Sequence, residues 1–195
     1  MHTPRALRWK RALATTSPGV PRWAAVAART VPFTTLPSGI WRLALGIGIP
    51  VGFSGDLADL YGAPGWITPY VIALSLLAEG AALLTLGLVQ PWGERLPGWV
   101  PRLGGRRIPT AAAAVPAALG ALAITTINWT SAAMWFGPEN NGDPEAPHGV
   151  AGFVMAASYA PMLAWGPLLG AVTVAYCLRR RRQRGAATAP AAAAA

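Results

Sequence analysis

Charge is what this sequence has least of. Only 12% of its 195 residues are Asp, Glu, Lys or Arg, about half the share found in average soluble domains. That deficit argues against a water-soluble globule. Cysteine is rarer still: Cys177 stands alone, which excludes an intrachain disulfide framework and a cysteine-built metal site. Histidine occurs twice, as His2 and His148. Glu145-x-x-His148 resembles half of a metal motif, but Pro147 interrupts it and the only other histidine lies near the N-terminus, so no metal is expected. Lysine appears once, at Lys10, against fifteen arginines. With abundant alanine, that ratio looks like the codon bias of a GC-rich genome. No activated serine or cysteine nucleophile pattern is present, and no cofactor is expected.

What the sequence does contain is apolar. Hydrophobic residues make up 53% of the chain and the mean hydropathy is +0.39. The 22 Gly and 19 Pro would suit a disordered chain, but nine Trp and long Leu/Ile/Val runs do not. Membrane helices tolerate both Gly and Pro. The glycine-rich GIGIPVG at 46–52 lacks the strand–turn–helix setting of a dinucleotide loop and reads as membrane helix. The net charge of +9 is not a nucleic-acid footprint, because the basic residues flank apolar runs instead of lining a soluble polar face. Anionic lipid is the expected partner.

Four apolar segments have the length of a crossing, about 20 residues. The first, 31–53, is the weakest: its ten large apolar residues at about −0.3 to −0.6 kcal/mol each give roughly −4.5 kcal/mol, and Arg42 returns about 3. Pro32 and Pro37 would delay its helix to near Ser38. The second, 68–89, is the clearest, its seven Leu outweighing Glu79. The third, 109–129, is Ala-rich with a kink expected at Pro116, and the fourth, 149–178, is long enough to tilt or bend at Pro161 and Pro167. Residues 1–30 read as a basic cytoplasmic segment that is partly disordered, with a short surface helix near Arg22 to Arg29 and no signal peptide. Residues 179–195 read as a basic, Ala-rich disordered tail.

The loops test the count. Between the first two spans lie Asp56 and Asp59; between the last two lie Glu139, Asp143 and Glu145; neither loop has a Lys or Arg. The middle loop carries Arg95, Arg102, Arg106 and Arg107, and Arg179 to Arg182 with Arg184 follow the last span. By the positive-inside rule this is an all-α, four-helix membrane bundle with both ends in the cytoplasm of a bacterial cell.

The stretch ITPYVIALSLLAEGAALLTLGLVQPWGERLPGWVPRLGGRRIP carries a Ser-Leu-Leu-x-Glu-Gly segment holding Glu79 and a Trp-Gly…Pro…Leu-Gly-Gly-Arg-Arg-x-Pro loop from Trp92 to Pro109. With the upstream LPSGIWRLAL and the downstream YAPMLAWGPLLGAVTVAY, it resembles an uncharacterised family of actinobacterial integral membrane proteins over roughly residues 31 to 178. The resemblance implies the four-span architecture and no particular chemistry.

Two ionisable groups fall inside these spans, Arg42 and Glu79. A charge in hydrocarbon is costly and is expected to face the bundle interior and find a partner, so the two are candidates for one another. Gly39 and Gly46 flank Arg42 on one face, and Ser75 lies one turn from Glu79. One reading makes the pair a proton or ion relay or a head-group site. The others make it a buried salt bridge fixing helix register, or an arginine reaching the interface beside a protonated Glu79. Thr125, Asn128 and Tyr159 either pack helices or line a small polar cavity with Ser75 and Glu79. Arg102, Arg106 and Arg107 either hold an anionic lipid or serve as topology determinants. Three functions follow in order: a non-enzymatic structural, accessory or partner-binding membrane protein, with a homo-oligomer or membrane protein as partner; a small proton-coupled carrier using Glu79; and a membrane enzyme acting on a lipid or isoprenoid.

Overall fold

The structure is a computed structural model of the chain and describes residues 15–94, 105–136 and 143–188. Among them every long element is a helix: α1 (Arg22–Gly46), the short α2 (Gly55–Leu60), α3 (Ile67–Leu84), α4 (Thr110–Phe136), α5 (Gly149–Tyr159) and α6 (Trp165–Thr188). Tight 3-10 turns extend α3 through Leu88 and join α5 to α6 across Ala160–Ala164. Among the described residues three segments are long and apolar enough to cross a membrane: Ile67–Leu88, Thr110–Trp135 and Gly149–Ala186.

The first expected span differs from the observed helix at both ends. α1 starts at Arg22 and runs through Pro32 and Pro37. Each proline withdraws one backbone donor, from the Ala28 and Phe33 carbonyls, and side-chain hydroxyls bond other carbonyls of this stretch. Thr34, Thr35 and Ser38 donate to the carbonyls of Val31, Pro32 and Thr35 at 2.7, 2.9 and 2.8 Å. At the other end α1 stops well before residue 53. Gly48 takes the left-handed conformation at φ +85°, and its N–H and that of Ile49 return to the Leu45 and Ala44 carbonyls, a Schellman termination. Arg22 to Arg29 are thus the first turns of α1 and not a separate surface helix, and α1 is not among the segments apolar enough to cross by composition. The C-terminal expectation is also revised: Arg179 to Arg184 belong to α6, which continues to Thr188.

The chain divides into two compact units. One comprises Val31–Leu83 and Leu122–Pro167. Its core is Trp41, Leu45, Ile67 and Val71, with Phe53, Tyr61 and Tyr159 packed against them. α1 and α3 meet here in close antiparallel contact. A Cβ on Gly46 would come within 2.6 Å of Val71 Cγ2, and one on Gly39 within 3.9 Å of Glu79 Oε1. Glycine at 46 is what lets the helices approach, whereas a Cβ at 39 would make an ordinary contact. Thr68 Oγ1 donates to the Gly46 carbonyl at 2.7 Å, occupying an acceptor left open at the end of α1. In the same unit Pro167 withdraws the donor that the Leu163 carbonyl would have used. The indole N–H of Trp129 takes that carbonyl at 3.2 Å.

The other unit comprises Met1–Thr30, Leu84–Ala121 and Leu168–Ala195. Ala24, Ala28, Leu88, Val89, Val172 and Tyr176 are buried in it. The Ser17 N–H donates to the Val89 carbonyl at 2.8 Å, and the Ile108 N–H to the Glu94 carbonyl at 2.9 Å, joining segments far apart in sequence.

Candidate functional site

Arg42 and Glu79 lie on the facing sides of α1 and α3, one helical turn apart in their contacts. Arg42 is 7% exposed, and its Nε donates to Ser75 Oγ at 3.1 Å. Its guanidinium lies 5.8 Å from the centroid of the Tyr159 ring, within the range of a cation–π contact. That ring is held edge-on by Trp41 at 5.6 Å, and Trp41 in turn packs against Phe53 at 6.1 Å. Arg42 Nη2 is buried without a hydrogen-bond partner among the described residues.

Glu79 is half-buried. Its Oε1 lies 2.7 Å from Thr35 Oγ1, and Thr35 is fully buried. No ion pair within 4.0 Å joins Glu79 to Arg42; each takes a hydroxyl instead. Thr35 Oγ1 carries one proton and has two oxygens in reach, Glu79 Oε1 and the Pro32 carbonyl at 2.9 Å. That single proton goes to one oxygen or is shared between the two.

The structure thus brings Arg42, Ser75 and Tyr159 together and sets Glu79 against Thr35. Asn128 goes elsewhere, its amide donating to the Met162 carbonyl at 2.9 Å in the turn that joins α5 to α6. Thr125, one turn before Asn128, is half-buried on α4. One cavity in this unit, about 380 Å³, is walled by Pro37, Ile40, Trp41, Val51, Val154 and Ser158 among others, and neither Arg42 nor Glu79 lines it. It offers an apolar surface and no ionisable group. No cluster of three His, Cys, Asp or Glu able to hold a metal exists among the described residues.

In the basic unit Arg106 and Arg107 are exposed, and Arg102 lies outside the described residues. The ionic centre here was not anticipated. Arg179, 6% exposed, pairs with Glu94 at 2.6 Å and donates to the Leu88 carbonyl at 3.3 Å. Arg180 reaches the other Glu94 oxygen at 3.7 Å, and both guanidinium groups lie within 6 Å of the Tyr176 ring. Reading Arg179–Arg184 as a uniform flank overlooked that its first residue is a core residue. The available signal was Glu94, the one acidic residue in segments otherwise rich in arginine. Set against known protein families, curated proteins and solved structures, the chain matches none.

Proposed function

We propose that this chain is a four-span protein of the bacterial plasma membrane with both ends cytoplasmic, serving as a non-catalytic scaffold or partner-binding subunit. α1 would supply the fourth crossing. Its 25 residues extend about 37 Å, longer than a hydrocarbon core of about 30 Å. Charge supports the topology. The unit of residues 1–30, 84–121 and 168–195 holds every Lys and Arg except Arg42, and a single acid, Glu94; the other unit holds the remaining six acids. Along the chain the loops alternate in charge, Asp56 and Asp59 in the first, Arg95, Arg102, Arg106 and Arg107 in the second, and Glu139, Asp143 and Glu145 in the third, as the positive-inside rule predicts. The likeness to actinobacterial membrane proteins fits this architecture and adds no activity.

The observation that carries the scaffold reading is the way the intramembrane charges are used. Arg42 is taken up by Ser75 and the Tyr159 ring, Glu79 by Thr35, and the neighbouring cavity contains neither. Meanwhile only 6% of the Thr110–Trp135 window is buried, leaving α4 an apolar surface for lipid, a second copy or another membrane protein. A photo-crosslinking residue at Leu119 or Leu122, both exposed, should yield a protein adduct in native membranes. Adducts to lipid alone would remove the scaffold reading.

One observation favours a proton-coupled carrier as the second reading: Glu79 is half-buried with no cation among the described residues within 4.0 Å. Full-length protein in liposomes holding a trapped pH dye, under a valinomycin-set potassium potential, separates the two. Proton flux abolished by Glu79→Gln selects the carrier. No flux above protein-free vesicles leaves the scaffold.

A further inference from the structure

The cavity beside Trp41, about 380 Å³, falls within the usual size of a small-molecule site, about 300–1,000 Å³. Its walls are the later turns of α1, residues 49–51 that follow it, and α5. Ala44 and Ala151 each contribute only a methyl group to them. The wall at 49–51 is fixed at both ends. Gly48 turns the chain back at φ +85°. Gly52, at φ +102°, lies so close to α5 that a Cβ there would come within 2.5 Å of the Ala151 Cβ. Just beyond, the N–H groups of Ser54 and Leu57 donate to the Glu145 carbonyl and to Glu145 Oε2, both at 2.9 Å. A wall tied down in this way keeps the cavity preformed.

The walls also say what would enter. Ile40, Ile49 and Val154 are 66%, 50% and 48% exposed, so the rim suits hydrocarbon better than water. Trp41 is only 8% exposed. Its indole N–H has no acceptor among the described residues and is not one of their fully enclosed polar atoms. It is thus a donor with open surface on a residue that walls the cavity. The hydroxyl of Ser158, the other polar side chain there, donates to the Val154 carbonyl at 2.7 Å. No lining residue is ionisable, and the loops that close this end carry the exposed carboxylates Asp56, Asp59 and Asp143. These repel an anionic head group. A hydrocarbon chain bearing one neutral oxygen satisfies every wall.

We propose that this cavity holds the apolar chain of an uncharged lipid, whose carbonyl or hydroxyl oxygen accepts from Trp41 Nε1. The proposal rests on the membrane reading, and the two fail differently. A protein that stays monodisperse in buffer without detergent would overturn the membrane reading itself. The site is tested on detergent-solubilised full-length protein by photolabelling with diazirine-tagged diacylglycerol, farnesol or phosphatidylglycerol, the adducts being located by mass spectrometry. Diacylglycerol or farnesol should label residues 40–51 and 151–158, and the stronger of the two gives the source of the chain. Phosphatidylglycerol should label them at least threefold less. Ala44→Leu, which fills the cavity, should abolish this labelling. Trp41→Phe keeps an aromatic ring against Phe53 and Tyr159 but removes the donor, and should weaken labelling about fivefold, the worth of one hydrogen bond. Labelling unchanged in both variants, or equally strong with phosphatidylglycerol, would overturn the site in favour of general lipid contact at the exposed rim.

Discussion

Arg42 and Ser75 meet across α1 and α3, the buried guanidinium donating through Nε to the serine hydroxyl at 3.1 Å. A cation in an apolar helix is thereby held by a neutral group, with an aromatic face beside it. Ser75→Ala removes that acceptor and leaves a buried donor unsatisfied, which costs about 1–3 kcal/mol. The melting temperature of the detergent-solubilised protein should therefore fall in Ser75→Ala. It should recover, or exceed the original, in Ser75→Ala/Arg42→Met, because replacing a poorly compensated buried charge by an apolar side chain of similar length is commonly neutral or stabilising. A double variant less stable than Ser75→Ala would show that Arg42 contributes through contacts other than these.

Glu79→Gln should change stability by less than about 1 kcal/mol. The substituted amide retains an oxygen that accepts from Thr35 and gains an N–H able to donate to it, so Thr35 keeps its bond to the Pro32 carbonyl in either case. Glu79→Leu should be worse than Gln, since it leaves the buried Thr35 with one acceptor in place of two and changes the shape against Gly39. Equal melting temperatures for Gln and Leu would mean the Thr35 contact contributes nothing measurable.

Gly46 is where α1 and α3 come closest. Gly46→Ala would push its Cβ to 2.6 Å from Val71 Cγ2, nearer than side chains tolerate. Overpacking of this kind costs about 1–3 kcal/mol. Val71→Ala removes the obstructing methyl groups, so the pair Gly46→Ala/Val71→Ala should be more stable than the sum of the single effects, a coupling read from a double-mutant cycle.

Much of this architecture is legible in the sequence because hydropathy and proline act locally. The second apolar run appears as a helix at close to its expected bounds, while the third and fourth start where expected and run on to Trp135 and Ala186. The small face of Gly39 and Gly46 around Arg42 does turn towards α3. The first segment was harder to read because its prolines argue for a break, whereas α1 runs through both of them. Spacing alone also could not choose Arg42's partner. A match of position along two spans pairs it with Glu79, but the antiparallel offset of the helices presents Ser75, one turn away. The Glu94–Arg179 contact was hidden for a different reason: it depends on side chains returning from segments 85 residues apart, which no local pattern encodes.

Topology can be read from single cysteines once Cys177→Ala has removed the native thiol. Asp59→Cys and Asp143→Cys, both at exposed positions, should react with a membrane-impermeant maleimide in intact cells. Arg106→Cys and Arg182→Cys should react only after the cells are opened, if α1 makes the fourth crossing. Labelling of Asp59→Cys only in opened cells would place that loop inside and remove α1 from the count of spans.

Glu94 is the strongest single test of how the basic unit is held together. Its carboxylate touches Arg179 at 2.6 Å, and Arg179 is 6% exposed while bonding to the Leu88 and Pro18 carbonyls. Removing one member of a buried ion pair leaves the other charge uncompensated, at about 3–5 kcal/mol for a fully buried pair. Glu94 retains some exposure, 20% for its side chain, so about 2–3 kcal/mol is the expected loss for Glu94→Ala. Arg181→Ala and Arg182→Ala, at exposed positions of the same helix, should each stay within about 0.5 kcal/mol. If the run of arginines served only as a charged flank, removing an acid beside it would leave stability unchanged and removing any arginine would act alike. A Glu94→Ala protein as heat-stable as the parent would therefore show that the pair does not hold the N-terminal segment, the end of α3 and α6 together.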